Sequence, residues 1–128
     1  MSKTILIADD ELHIRALLEQ TLEDLEDVGV ELITAANGQQ ALEMIQTQQP
    51  DLVFLDVMMP KLNGYQVCYE IKRVLELKTF IVLLTAKGQE TDQKEGYEAG
   101  ADIYMTKPFD PDEVLAKAED VLGVCCSQ

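Results

Sequence analysis

Several polar residues in this sequence stand at the ends of short apolar runs, where buried strands would end. These residues are Asp9 with Asp10, Asp56, Thr85 and Lys107. Three carboxylates gathered in one place repel one another, and a hard divalent cation relieves that repulsion. Mg²⁺ prefers carboxylate oxygens and keeps several waters, so it suits an incomplete set of protein ligands. A nearby lysine would add a fixed positive charge opposite the metal.

The elements that must position these residues can be predicted from the spacing of apolar residues. Five strands are expected, at 4–8, 30–35, 51–56, 80–84 and 101–105. A helix is expected after each strand, and the segment 88–100 is the weakest candidate because it has few apolar residues. Alternating strands and helices predict an α/β fold with a doubly wound parallel sheet. Its strands would present their carboxyl ends, and hence the polar residues, at one edge.

The predicted helices carry apolar faces that should point inward, among them the first and the third. The first helix should pack through Ile14, Leu17, Leu18, Leu22 and Leu25. The third should pack through Val67, Cys68, Ile71, Val74 and Leu75. A last helix is expected after Asp110-Pro111, since proline suits a first helical turn.

Length and composition predict one acidic domain. The 128 residues fit a single domain, residues 1–128, with a core over about 3–122 and a short tail at 123–128. Ten basic and 24 acidic residues give a net charge of −14. This charge opposes contact with nucleic acid and anionic membranes, so neither is expected as a partner. Basic protein surfaces and cations are favoured instead.

The remaining whole-chain features predict a cytosolic protein with reduced thiols. No apolar run approaches the ~20 residues of a membrane span, and no signal peptide is recognised. Cys68, Cys125 and Cys126 lack the spacing of a metal site. Cys68 is expected to pack inside, and His13, the only histidine, is expected on the surface.

The combined motif resembles the response-regulator receiver domain, of the stand-alone chemotaxis type. The matching residues are Asp9, Asp10, Asp56, Met59-Pro60, Gly64, Thr85-Ala86 and Lys107-Pro108-Phe109. The resemblance covers residues 3 to about 122. It implies a flavodoxin-like fold with strand order 2-1-3-4-5 and five helices.

The resemblance also implies a role for each site residue. Asp56 would accept a phosphoryl group from a sensor histidine kinase, a phosphotransfer protein or a small phosphodonor. The Mg²⁺ ligands would be Asp9, Asp10, Asp56 and the backbone carbonyl of Met58. Lys107 would neutralise charge during transfer. Thr85 and Tyr104 would switch conformation, and the Lys107–Pro108 bond would be cis.

The implied function is phosphorylation-dependent signalling. The surface around 85–122 would control a downstream protein target or pass phosphate along a relay, and the chain would catalyse only its own phosphorylation and dephosphorylation. A related phosphohydrolase is the alternative, but it usually needs a second aspartate where Met58 stands. A flavin-binding electron carrier shares the fold class, but Asp9 and Asp10 would repel the flavin phosphate. Met58 and Lys87 cannot orient an attacking water, which predicts slow self-dephosphorylation.

Overall fold

The computed structural model of this chain describes residues 3–86, 100–107 and 109–124. Its strands are β1 Lys3–Ala8, β2 Val30–Ala35, β3 Leu52–Asp56, β4 Phe80–Ala86 and β5 Ile103–Lys107. Its α-helices are α1 Leu12–Leu22, α2 Gly38–Gln48, α3 Gly64–Tyr69 and α4 Pro111–Leu122. The 3₁₀-helix Glu23–Val28 continues α1, and the π-helix Glu70–Val74 continues α3. The helix expected at 88–100 falls almost wholly outside the described residues.

The five strands form one parallel sheet in the order β2-β1-β3-β4-β5. This order confirms the predicted doubly wound α/β fold. The strands β1 and β3 are neighbouring inner strands of this sheet, and the runs Ile5–Ala8 and Leu52–Leu55 are completely buried. A strand covered on both faces needs apolar residues at successive positions, which explains why these runs do not alternate with polar residues.

The core consists of two apolar clusters, one on each face of the sheet. On one face, α1 and α4 pack through Leu18, Leu22 and Val114 against side chains such as Phe54. On the other face, α2 and α3 contribute residues including Ile45, Val67 and Cys68. Burial raises the pKa of the Cys68 thiol to about 12, so this thiol is uncharged near neutral pH and packs as an apolar group.

Strand β5 begins two residues later than predicted. The register pairs Val82 with Ile103 and Ala86 with Lys107, so Lys107 belongs to the strand instead of following it. The backbone N–H of Asp102 donates to the Ile81 carbonyl, and the Asp102 carboxylate accepts from the Ile81 N–H at 2.8 Å. Asp102 therefore fastens the chain to β4 just before the regular ladder begins.

Two helical faces also differ from the prediction. Leu17 is 40% exposed, while Val74 and Leu75 are 53% and 39% exposed. The last two lie at the end of the π-helix, where the Leu75 N–H donates to the Glu70 carbonyl five residues back. This wider turn rotates later side chains away from the face that an α-helix would present.

Other predictions about the whole chain have separate outcomes. No helix in the described segments is long and apolar enough to cross a membrane. Cys125 and Cys126 lie outside the described residues. The assignment of residues 1–128 to one domain stays a prediction.

Candidate functional site

Asp9 is fixed at the carboxyl end of β1 by contacts on several of its atoms. Its backbone N–H donates to the Ala35 carbonyl at 3.2 Å, which extends the pairing with β2 by one residue. Its carboxylate accepts from the Glu11 N–H at 2.9 Å, and its carbonyl accepts from the Arg15 guanidinium at 2.6 Å. Asp9 is completely buried, whereas the neighbouring Asp10 is exposed.

Asp56 is the last residue of β3 and is almost completely buried. Its carboxylate accepts a long hydrogen bond, 3.4 Å, from the Met58 N–H. The loop that follows returns close to it, because the Gly64 N–H donates to the Val57 carbonyl at 2.9 Å. A Cβ atom on Gly64 would lie only 2.6 Å from the Asp56 carbonyl oxygen, so glycine is required for this approach.

Lys107 brings the only positive charge described within ion-pair distance of these carboxylates. From β5, its Nζ atom lies 2.9 Å from an Asp9 oxygen and 3.2 Å from an Asp56 oxygen. A third carboxylate, Glu11, lies 3.7 Å away. Lys107 and Asp9 are 98 residues apart in sequence, so the parallel sheet creates this contact.

The site holds more carboxylates than one lysine can neutralise. Burial and the nearby Asp9 charge raise the pKa of Asp56 to about 7, although Lys107 and the Met58 N–H act in the opposite direction. Burial lowers the pKa of Lys107, but its hydrogen bond to Asp9 and the charges of Asp56 and Asp9 outweigh burial and raise it overall. The lysine therefore stays charged while Asp56 is poised between its two forms near neutral pH.

The three aspartates form an acidic cluster suited to a divalent cation. One carboxylate oxygen from each of Asp9, Asp10 and Asp56 lies within 4.8 Å of the others. Three carboxylate oxygen donors fit the chemistry of Mg²⁺, which favours carboxylates and retains water on its open side. The Met58 side chain is 60% exposed, and coordination by its carbonyl stays a prediction.

Thr85 stands on β4, beside β3, the strand that ends in Asp56. The register pairs Asp56 with Leu84, so Thr85 is one residue beyond that pair. Its side chain is completely buried, and its hydroxyl has no hydrogen-bond partner in the described part of the chain. A buried hydroxyl without a partner is costly, and it is available to bind an additional oxygen ligand.

Tyr104 lies on β5, paired in register with Leu83. It is half-buried, and its hydroxyl donates to the Tyr65 hydroxyl at 3.0 Å. Pro108 lies outside the described residues, so the cis bond expected there stays a prediction. Lys87 also lies outside them. His13 is on the surface, 3.7 Å from Glu11.

Three residues that contact the site or Tyr104 were missed in the sequence. Arg15 holds the Asp9 carbonyl, Glu11 approaches Lys107, and Tyr65 binds Tyr104. Arg15 lies one helical turn beyond Glu11, and that spacing is a usable but weak signal. Tyr65 gave no signal, because an aromatic residue at the start of a helix normally indicates packing.

Comparison with protein families identifies the class of the chain. A family model described as the response regulator receiver domain matches residues 5–119. The chain belongs to the response regulator receiver domain family. Its fold agrees with a putative response regulator from Chloroflexus aurantiacus J-10-fl, with a TM-score of 0.83 and 34% identity over 96% of this chain and 99% of that one.

Other relatives of this receiver chain have different named roles. The transcriptional regulatory protein PhoP for alkaline phosphatase synthesis, from Bacillus subtilis (strain 168), is 47% identical over 95% of this chain and 49% of its own. Probable transcriptional regulator ycf27 of Cyanophora paradoxa is 46% identical over 94% and 48%. The structure of chemotaxis response regulator CheY4 of Vibrio cholerae matches with a TM-score of 0.81 and 31% identity, over 94% of this chain and 99% of that one.

These relatives correct one prediction and leave another open. The chain spans about half the length of the two transcriptional regulators. The expectation of no nucleic-acid partner was wrong, because relatives this similar are named as regulators of transcription. The net charge of −14 describes only the surface of this chain, so it was a poor guide to the partners of the class. The stand-alone chemotaxis role stays a prediction.

Proposed function

We propose that this receiver takes a phosphoryl group onto Asp56 from the phosphohistidine of a sensor histidine kinase or phosphotransfer protein. The observation that supports this most strongly is the position of Lys107, which lies within 3.2 Å of both Asp9 and Asp56 at the carboxyl edge of the sheet. A buried carboxylate with a fixed ammonium beside it provides a nucleophile and a charge that can meet phosphoryl oxygens.

The transfer step can be followed through the residues of this chain. A lone pair on an Asp56 carboxylate oxygen forms the bond to phosphorus, and the phosphorus–nitrogen bond of the donor breaks, with its electron pair returning to the imidazole. Asp56 must be ionised to attack, and Lys107 lowers its pKa toward that form. Mg²⁺ bound by Asp9, Asp10 and Asp56 would neutralise charge on the phosphoryl oxygens.

After transfer, the new group needs hydrogen-bond donors. It adds a charge of about −1.5 to −2 to a site that already holds several carboxylates. Lys107 can turn from Asp56 toward a phosphoryl oxygen. The buried Thr85 hydroxyl, which has no partner within the described segments, is the second donor that we assign. In this proposal, β4 and β5 adjust so that Lys107 and Thr85 can both reach the phosphoryl group. The surface around 85–122 changes with these strands.

The output that we favour is control of transcription through the phosphorylated state. Support comes from the two transcriptional regulators, which are 47% and 46% identical to this chain, compared with 31% for the chemotaxis protein. The chain itself modifies no other substrate in this proposal. The exposed apolar Met58 stands where a phosphohydrolase of similar fold would place its acid/base carboxylate, which disfavours that alternative. A cytosolic location stays part of the proposal.

The test is incubation with a small acyl phosphate, with and without Mg²⁺, followed by measurement of protein mass. Wild type should gain one phosphoryl group only with Mg²⁺, and Asp56→Asn should gain none. Asp51→Asn is the matched control, because Asp51 is an exposed aspartate just before the opposite end of β3. It should be labelled like wild type. Labelling that persists in Asp56→Asn would refute the assignment of the acceptor.

A further inference from the structure

The hydroxyl groups of Tyr65 and Tyr104 join two elements that are far apart in sequence. The Tyr104 hydroxyl on β5 donates to the Tyr65 hydroxyl on α3 across 3.0 Å. Tyr65 is only 8% exposed, and Tyr104 packs against the apolar cluster that contains Tyr65. A hydrogen bond between such buried or half-buried groups fixes the orientation of both rings more firmly than one at the surface.

Tyr65 is linked to the backbone around Asp56 through its neighbour Gly64. It follows Gly64, whose N–H donates to the Val57 carbonyl. The Gly64 Cα is so close to this backbone that an added Cβ would lie 2.6 Å from the Asp56 carbonyl oxygen and 2.9 Å from the Val57 Cα. Close-packed groups transmit displacement, so a shift in the loop after Asp56 must move the start of α3 and the ring of Tyr65.

Tyr104, the hydrogen-bond partner of Tyr65, reaches the surface. It is one of the residues that line a groove of about 470 Å³ between β5 and α4, together with Ile103, Met105, Glu113 and Lys117. Three residues further along β5, Lys107 contacts Asp9 and Asp56. The strand is therefore tied to the site at Lys107 and to the acceptor loop through Tyr104 and Tyr65.

We infer that Tyr65 is a positioning residue that holds Tyr104 and transmits changes at Asp56 to the groove between β5 and α4. This inference rests on the proposed function of Asp56 as phosphoryl acceptor. In this inference, the charge and the oxygens that phosphorylation adds at Asp56 displace the loop that follows it. Because Gly64 packs directly against the backbone of Asp56 and Val57, Tyr65 moves with the loop. The hydrogen bond between the two hydroxyls then moves the Tyr104 ring.

The test uses the full chain labelled with 3-fluorotyrosine and observed by ¹⁹F NMR. The sequence has four tyrosines, so single Tyr→Phe variants assign the resonances. Exposure of Tyr104 is read from its broadening by a soluble paramagnetic agent. Tyr65→Phe keeps the buried ring and removes only the hydroxyl. A hydrogen bond of ordinary net strength shifts a conformational ratio by about 2- to 10-fold. Broadening of Tyr104 in the unphosphorylated variant should therefore rise, by up to about that factor.

Phosphorylation provides the second readout, which a purely structural role for Tyr65 would not change. In wild type, treatment with acyl phosphate and Mg²⁺ should shift the Tyr104 resonance. Tyr65→Phe should be labelled to the same extent by mass and should lose at least half of that shift. Tyr69→Phe is the matched control, since Tyr69 lies on the same helix and is 53% exposed. It should keep both properties of wild type, and thermal unfolding checks that each variant is folded.

The outcomes separate this inference from the proposed function. If Asp56 is not labelled in wild type, the proposed function fails, and the exposure of Tyr104 before phosphorylation still tests whether Tyr65 positions it. If Asp56 is labelled but Tyr65→Phe leaves the exposure and shift of Tyr104 unchanged, the inference is overturned and the proposed function stands. Tyr104→Phe, which removes the donor, provides a second test through the reciprocal change at Tyr65.

Discussion

Two lysine–aspartate ion pairs in this molecule have similar geometry and different surroundings. Lys72 lies 2.9 Å from Asp102, and Lys107 lies 2.9 Å from Asp9, with lysine side chains exposed by 16% and 15%. Asp102 also accepts a hydrogen bond from the Ile81 N–H. One lysine and one carboxylate, with equal and opposite charges, therefore connect the π-helix Glu70–Val74 to β4. At the carboxyl edge, Lys107 faces Asp9, Asp56 and Glu11 together.

This difference separates a structural ion pair from a site that can react. The Lys72–Asp102 pair has equal and opposite charges and needs no further ligand. The Lys107 cluster has an excess of negative charge, a raised pKa at Asp56, and a neighbouring strand that carries a buried Thr85 hydroxyl without a partner in the described regions. Unsatisfied charge and hydrogen-bonding capacity are costly in a fold, and here both occur where a cation and a phosphoryl group would satisfy them.

Exchanging each lysine for methionine should give the largest contrast. Lys107→Met removes the donor that we propose for the phosphoryl oxygens, so the rate of Mg²⁺-dependent labelling should fall by about 10²–10³-fold. Lys72→Met should leave that rate within about twofold of wild type and lower the free energy of unfolding by about 1–2 kcal/mol, because Asp102 loses its partner but is partly exposed. Labelling kinetics and urea unfolding measure the two effects. Equal labelling defects in both variants would contradict the distinction.

The pH dependence of stability should reveal the combined effect of burial and of the nearby Asp9 charge on Asp56. The pKa of Asp56 rises from 3.8 to about 7 on folding, so the folded protein binds more protons than the unfolded chain between these values. The free energy of unfolding should therefore fall as pH rises from about 4 to 7, by as much as a few kcal/mol. Urea unfolding with a chelator present measures this trend.

The same measurement has two internal controls. Asp56→Asn removes the titrating group, so most of the fall should disappear. Mg²⁺ should restore stability mainly at the higher pH, where Asp56 is ionised. A wild-type protein that becomes more stable between pH 5 and 7 without Mg²⁺ would show that burial and Asp9 do not dominate at Asp56.

The smallest effect concerns two buried threonines. Thr79 donates to the Pro50 carbonyl at 3.0 Å, whereas the Thr85 hydroxyl has no partner in the described part of the structure. Thr79→Val should lower the free energy of unfolding by about 1 kcal/mol, and Thr85→Val should leave it unchanged or raise it by less than about 1 kcal/mol. Urea unfolding without phosphodonor decides this. In the labelling assay, Thr85→Val should retain less phosphoryl group than Thr79→Val.

The sequence predicted the sheet and the meeting of the site residues because both depend on strong local patterns. Uninterrupted apolar runs identify strands covered on both faces, and parallel connections place the strand ends at one edge. Asp9, Asp56 and Lys107 could therefore be brought together by topology alone, and the structure places them within ion-pair distance. Their roles in phosphoryl transfer stay predictions.

The missed features depend on side-chain and backbone detail that leaves no periodic signal. The Tyr65–Tyr104 bond requires two particular ring orientations on elements 39 residues apart. The start of β5 depends on how Asp102 bonds to Ile81. Partner prediction failed for a different reason, since net charge measures the average surface and not what a class of proteins contacts.

The wide turn after α3 has a consequence for aligning this chain with others. A π-helical turn accommodates one more residue than an α-helical turn over a similar path, and the bond from Leu75 to Glu70 marks that extra residue. The buried Ile71 lies inside this turn, while Val74, Leu75 and Glu76 lie on the surface. A homologue that is one residue shorter here can keep the same sheet and site. An alignment gap of one residue should therefore be placed at 72–76, and not in the loop that carries Asp56 and Gly64.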